Sequence, residues 1–349
     1  MTSSQEQYES PQATGVSRRT IVKGAAWSLP VIATAVAIPM SSASTPSQCV
    51  SYDPHGVYGS SGQAIFQYVG DRNPATFTVP QTGPFYDWAG SLGFGLDKVP
   101  QPNCGAASYA FYGVTWDTSA GNQNHLYKAI PDPNTNGTTS IVTDLGTFGC
   151  LPTGGYQAAW GGLAVDTGGN VWAVANTSYM STTQVALIDP LTLACQTSAP
   201  GTVGIGPNAA KVQPNGLMAA DITFTPNGEL WGLIWDNVSG EYWMARYHFT
   251  PGAQLGVEPV FRVTGEIGTT VTEMIYLDGL AWKGTGADYT SGTFYVAWGG
   301  GSRGDVYAVD PNTGVSTLVA SKTLPDGTGS TYRLEDLASA PVVSSTSAL

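Results

Sequence analysis

Residues 306–319, VYAVDPNTGVSTLV, place alternating apolar and polar positions on both sides of an Asp-Pro-Asn-Thr-Gly turn, the pattern of a β-hairpin with one buried face. The pattern recurs. HLYKAIPDPNTNGTTSIVTDL at 125–145 and QVALIDPLTLACQTSA at 184–199 repeat the alternating strand, the Asp-Pro turn and a Thr/Ser/Val-rich strand. A further strand precedes each: SYAFYGVTWD, NVWAVAN and GTFYVAWGG. Upstream of these lies a short apolar strand that opens on Gly or an acid: GFGLD, GLAVD, DITFT, GLAWK and DLASA, starting at 93, 162, 221, 279 and 336. Four strands repeating at a period near 58 residues are the signature of a propeller blade.

The two termini complete the array. HGVYGSS, GQAIFQYVG and ATFTVP supply three strands that lack an inner one, and DLASA near the C-terminus is an inner strand that lacks the other three. Joined, they make a fifth blade, so the expected fold is all-β, a propeller of five four-stranded blades over 44–341 closed by N- and C-terminal strands. Closure removes the exposed sheet edges that template aggregation, and a short disordered tail is expected at 342–349. Thr167-Gly168-Gly169-Asn170 and Pro226-Asn227-Gly228 supply hairpin residues that tolerate positive φ. A β-sandwich also has short strands and regular turns, but not a four-strand unit at this period.

Residues 17–23, Ser-Arg-Arg-Thr-Ile-Val-Lys, precede an apolar stretch from Gly24 to Met40 and a small-residue site, Ser41-Ser42-Ala43. These are the parts of a secretory signal. The Arg18-Arg19 pair in this frame resembles the twin-arginine export signal, an address rather than an anchor. The stretch contains Pro30 and Pro39 and falls short of the roughly 20 residues that span a bilayer. An uncleaved anchor is the alternative; cleavage after residue 43 is the expectation, giving a secreted, extracellular domain with no membrane attachment. The resemblance implies folding before export, so the fold should not depend on its cysteines.

Net charge is −12, and the leader carries three basic against two acidic residues, so its loss leaves the domain slightly more acidic. That excludes nucleic acid and anionic membrane surfaces as partners, since both require a basic footprint. With 44 glycines and 23 prolines but 42% hydrophobic residues, the chain is turn-dense rather than disordered. Cys49, Cys104, Cys150 and Cys195 show no CxxC spacing, and in an exported protein they read as two disulfides. Of three connectivities, the sequential one, Cys49 with Cys104 and Cys150 with Cys195, is expected. A metal site is the alternative, but His55, His125 and His248 lie in unrelated stretches.

No His-Glu-x-x-His, Ser-x-x-Lys or Walker loop occurs. WGGGSRGD at 298–305 joins two strands rather than opening a helix, and its Arg303-Gly304-Asp305 reads as a loop. Carboxylates are the more informative group. Asp221, Asp278, Glu335 and Asp336 stand at the starts of inner strands, where several blades converge on a channel. Such a cluster would hold Ca²⁺ through oxygen ligands or supply the two carboxyls, roughly 5–9 Å apart, of a glycosidase. The first expectation, ahead of both, is that each acid accepts backbone N–H bonds from the loop entering its strand. Asp221 aligns with Asp336 and Asp278 with Glu335, and adjacent strand residues face opposite ways, so all four cannot share one wall. Most tryptophans should pack between blades; Trp160, before a central strand, and Trp298, ending one, are expected to be the exposed ones that could stack on sugar.

The nonapeptide Val306-Tyr307-Ala308-Val309-Asp310-Pro311-Asn312-Thr313-Gly314 resembles the blade hairpin of a broad class of secreted, turn-rich β-propellers. The resemblance covers most of the chain after the leader but is a fold-level pattern that carries no catalytic residue. Such blades serve binding proteins and enzymes alike; the expected function is a monomeric, non-catalytic binding or adhesion module for carbohydrate or a cell-surface protein. A secreted glycoside hydrolase using channel carboxylates and a structural envelope protein are the other two readings.

Overall fold

The computed structural model describes residues 52–61, 64–69, 76–78, 92–99, 108–117, 123–132, 134, 139–150, 159–177, 182–199, 217–236, 241–267, 277–285, 291–298, 303–323 and 336–342. The leader with Arg18 and Arg19, the residues Cys49, Cys104 and Glu335, and 343–349 lie outside these.

The hairpins form where the turn chemistry places them. In the last one, the Gly314 N–H reaches the Asp310 carbonyl at 2.8 Å, the Asp310 carboxylate accepts the Asn312 N–H at 2.8 Å and the Thr313 hydroxyl at 3.0 Å, and Gly314 has φ of 71°. The same turn at Asp189 uses the Leu191 N–H and the Thr192 hydroxyl, with Leu193 at φ 57° in the glycine's place. A leucine tolerates that left-handed backbone here because its side chain packs into the core cluster that also takes Cys150 and Cys195. Gly169 and Gly228 have φ of 77° and 82°, as their hairpins require.

The strands order into antiparallel sheets. The first combines β1 (Val57–Ser61), β2 (Ala64–Val69) and β3 (Thr76–Thr78) with β20 (Asp336–Ser339) in the order β20-β1-β2-β3. The second is β4 (Leu92–Leu96), β5 (Tyr109–Asp117), β6 (Gln123–Pro131) and β7 (Ser140–Phe148). The third is β8 (Ala159–Val165), β9 (Val171–Thr177), β10 (Thr182–Ile188) and β11 (Cys195–Thr197). Two more four-stranded groups follow: β12 (Leu217–Phe224), β13 (Leu230–Asp236), β14 (Glu241–His248) and β15 (Gly256–Gly265), then β16 (Leu277–Thr285), β17 (Ser291–Trp298), β18 (Arg303–Val309) and β19 (Val315–Thr323). They merge through two parallel residue pairs, Thr264 with Val315 and Gly265 with Ser316.

Two local expectations are corrected. Arg303-Gly304-Asp305 is not a loop: it opens β18, and Asp305 is 3% exposed because strand pairing with Trp298 and Ser321 turns it inward. Trp160 lies within β8, paired with Ala175, rather than before it.

Each consecutive pair of groups is glued by its own apolar cluster. Tyr58 and Ile65 meet Leu92, Phe94 and Phe111; Tyr112 and Leu126 meet Leu163, Val165 and Ile188; Val174 and Val185 meet Ile222, Ile234 and Tyr247. Leu233 and Met244 meet Leu280, Phe294 and Val296, and Ala297 and Val306 meet Val57 and Leu337. Phe94 and Phe111 stack at 4.6 Å with Tyr58 edge-on to both, the quadrupole-favoured arrangement. The first strands touch in the order β4, β8, β12, β16, β20 and back to β4. The arrangement is all-β and propeller-like.

Cys150 and Cys195 form a disulfide with Cα atoms 5.7 Å apart, tying the end of β7 to β11. Closing a loop with sequence separation 45 stabilises by about 4 kcal/mol in the chain-entropy model. Cys150→Ser should therefore lower the urea midpoint while leaving a single cooperative transition, since the buried cluster beneath is built of apolar side chains on which the two cysteines only pack. Loss of the transition itself would show that the bond is required for folding.

Candidate functional site

The inner strands open on Gly or Asp for a steric reason. Asp221 is 0% exposed; its Oδ1 accepts its neighbour Ile222's N–H at 2.6 Å and its Oδ2 accepts the N–H of Leu280 on β16. Asp336, also 0% exposed, does the same with Leu337 at 2.7 Å and with Leu92 on β4. Each aspartate thus fastens its own strand to the next inner strand. The glycines make the room: a Cβ at Gly162 would collide with the Asp221 carboxylate, and one at Gly279 would stand 2.5 Å from the Leu337 nitrogen. Aspartates that reach across and glycines that admit them occupy corresponding positions.

Asp221 and Asp336 also meet each other through a side-chain hydrogen bond. Burial first, and the facing Asp336 carboxyl second, push the Asp221 carboxyl well above its ordinary range, against which the Ile222 and Leu280 N–H groups act. One proton held between two sealed carboxyls is the state this geometry favours, because two like charges in low dielectric repel. The Tyr247 hydroxyl is raised too, by burial and by Asp221.

The other expected residues are placed differently. Asp278 is the extra residue of a β-bulge between Leu277 and Gly279, and the same irregularity occurs between Trp160 and Gly162 and between Ala219 and Asp221. Asp278 is therefore out of register with the aspartate pair. Trp298 is half-buried and packs on the cluster that contains Leu280 and Phe294. Among the described residues, no group of three or more His, Cys, Asp or Glu could hold a metal ion, and no helix is long and apolar enough to cross a membrane.

Sequence reasoning missed a second buried polar cluster. Asp97, just beyond β4, pairs with Lys128 at 3.1 Å, their side chains 0% and 7% exposed. Asp97 also accepts the Tyr112 hydroxyl at 3.1 Å and the Val99 N–H at 2.9 Å, while Lys128 donates to the Val99 carbonyl at 2.7 Å. Burial and the adjacent Asp97 raise the Tyr112 hydroxyl. A buried pair survives only when its remaining hydrogen bonds are met, as here. The available signal was the acid that ends both GFGLD and GLAVD. In the second, Asp166 accepts the Gly168 and Asn170 N–H groups, each at 2.9 Å, the Asn170 amide at 2.8 Å and the Trp172 indole N–H at 2.9 Å.

No family model and no curated protein matches the sequence. Among solved structures, a chain of a nidogen/laminin complex is similar with TM-score 0.42 and 10% identity, over 81% of this chain and 97% of its own. A Lactobacillus plantarum protein gives TM-score 0.33 and 14% identity over 77% of this chain and 67% of its own. The Dos1 propeller gives TM-score 0.30 and 12% identity over 79% and 57%.

Proposed function

We propose that the chain is an exported, five-bladed β-propeller, closed by pairing of β20 with β1, that acts as a monomeric, non-catalytic binding module outside the cell, with carbohydrate as the ligand class. Export rests on the twin-arginine-like leader, and closure on the cyclic contacts of the inner strands. The observation that favours binding over catalysis is the state of the aspartate pair. Both carboxyls are 0% exposed and each oxygen accepts a backbone N–H, so they fasten strands where a glycosidase would need them open to a sugar and a water.

The test is binding of the full chain to a broad glycan panel with and without Ca²⁺, each hit being assayed for cleavage. Binding without release of reducing sugar is the expected result, and Ca²⁺ dependence would add a cation to the site. Turnover abolished by Asp278→Asn would replace this reading with the glycoside hydrolase. Absence of any glycan binding, with retention in the cell-wall fraction, would replace it with the structural envelope protein.

A further inference from the structure

A cavity of about 320 Å³ opens where β9 meets the β12–β13 hairpin and the end of β14, lined by Trp172, Phe224, Glu229, Arg246, His248 and Phe249 among others. Its size falls at the lower end of the roughly 300–1,000 Å³ range of small-molecule sites. None of the carboxylates or tryptophans expected from the sequence lies in it.

One wall is a fixed aromatic plate. Trp172 is half-buried, edge-to-face with Phe249 at 4.9 Å and with Phe224 at 5.4 Å. Its indole N–H is bound by Asp166, whose own turn contacts hold the carboxylate still. The plate is thus oriented before any ligand arrives, which spares the cost of ordering it. The charged side is equally constrained. Arg246 contacts Glu229 at 3.3 Å and Glu258 at 3.4 Å, and its guanidinium lies 5.6 Å from the Trp231 ring centroid. His248 contacts Glu258 at 3.3 Å. The Arg246 Nε is a buried donor with no partner.

Charge selects the ligand class. Of the side chains that line it, the Glu229 carboxylate and the Arg246 guanidinium are paired with each other, so neither an anionic nor a cationic ligand meets an uncompensated charge. A carboxylate and a guanidinium side by side offer acceptors and donors together, which suits neighbouring hydroxyls that each both donate and accept. An apolar ring face beside such a fork suits the C–H face of a sugar. We infer that this cavity binds a neutral hexopyranose, stacked on Trp172 with its hydroxyls shared between Glu229 and Arg246. The inference rests on the binding-module reading and gives it a location.

The test is titration of the full chain with methyl glucopyranoside, methyl mannopyranoside and methyl galactopyranoside, followed by calorimetry and tryptophan fluorescence. At least one should bind. Glu229→Gln, at a partly exposed position, should weaken that binding by roughly tenfold, the value of a charge-assisted hydrogen bond, while the melting temperature falls only slightly because the amide oxygen still accepts from one of Trp231 and Arg246. Trp172→Phe, which keeps a ring in the packing, should also weaken it and quench the fluorescence change. Binding that survives both variants would overturn this location while leaving the binding module standing. Failure of all three sugars to bind would overturn the inference itself, and the glycan panel then decides the module separately.

Discussion

A chain ending at Arg333 is expected to lose its cooperative unfolding transition altogether. The deleted strand β20 is only Asp336–Ser339, but every one of its residues is buried, and it pairs with β1 over Val57–Ser60. Burial of Leu337 alone is worth about 2 kcal/mol. Its removal also takes away the Asp336 carboxylate that accepts the Leu92 N–H and the Ser339 hydroxyl that accepts the Trp282 N–H at 2.8 Å. Each donor left buried without a partner costs about 1–3 kcal/mol. The apolar cluster joining Ala297 and Val306 to Val57 loses Leu337. These losses together approach the roughly 5–15 kcal/mol by which a domain is stable. Urea denaturation followed by tryptophan fluorescence would be gradual, whereas a chain ending at Ser344 should unfold like the full one. A peptide spanning residues 334–342 should restore the transition, because it binds the folded form selectively. A cooperative transition in the shortened chain without the peptide would refute closure by β20.

The second large effect is on the pH dependence of stability. The Asp221 carboxyl is raised well above its ordinary value of 3.8 by burial and by Asp336. Between 3.8 and its raised native value, the folded chain holds a proton that the unfolded chain has released. The contribution of this group is therefore fully present below 3.8 and is lost as pH rises through the native value. For one proton the loss is at most about 1.4 kcal/mol per pH unit. In Asp221→Asn the amide cannot accept both the Ile222 and Leu280 N–H groups, so the variant is less stable in acid. The gap should narrow as pH rises, since only the native chain has a proton to lose there. Urea midpoints of both proteins from pH 4 to 9 measure the gap. A constant difference would mean that the two carboxyls do not share a proton.

The hairpins, the four-strand unit and the Gly-or-acid start of each inner strand are legible in the sequence, because they are set within a few residues. Alternation decides which face of a strand is buried, and Asp-Pro-x-Thr-Gly builds its own turn from Asp310 and Thr313 contacts. Even Leu193 keeps that turn, although the glycine is gone. That the inner-strand acids accept backbone N–H groups is legible too, and Asp221 and Asp336 do so; which acids face each other is not. Asp221 and Asp336 are 115 residues apart in number, and only packing of the inner strands brings their carboxyls together, seals them from water and hands them backbone donors from other sheets. The same holds for Lys128 with Asp97, and for the cavity between Trp172 and Arg246. Local sequence determines turns and strand faces because their partners are neighbours in the chain; desolvation and charge pairing depend on atoms from distant segments, so only the tertiary structure decided which acids are fasteners and where an open, polar-rimmed surface remains.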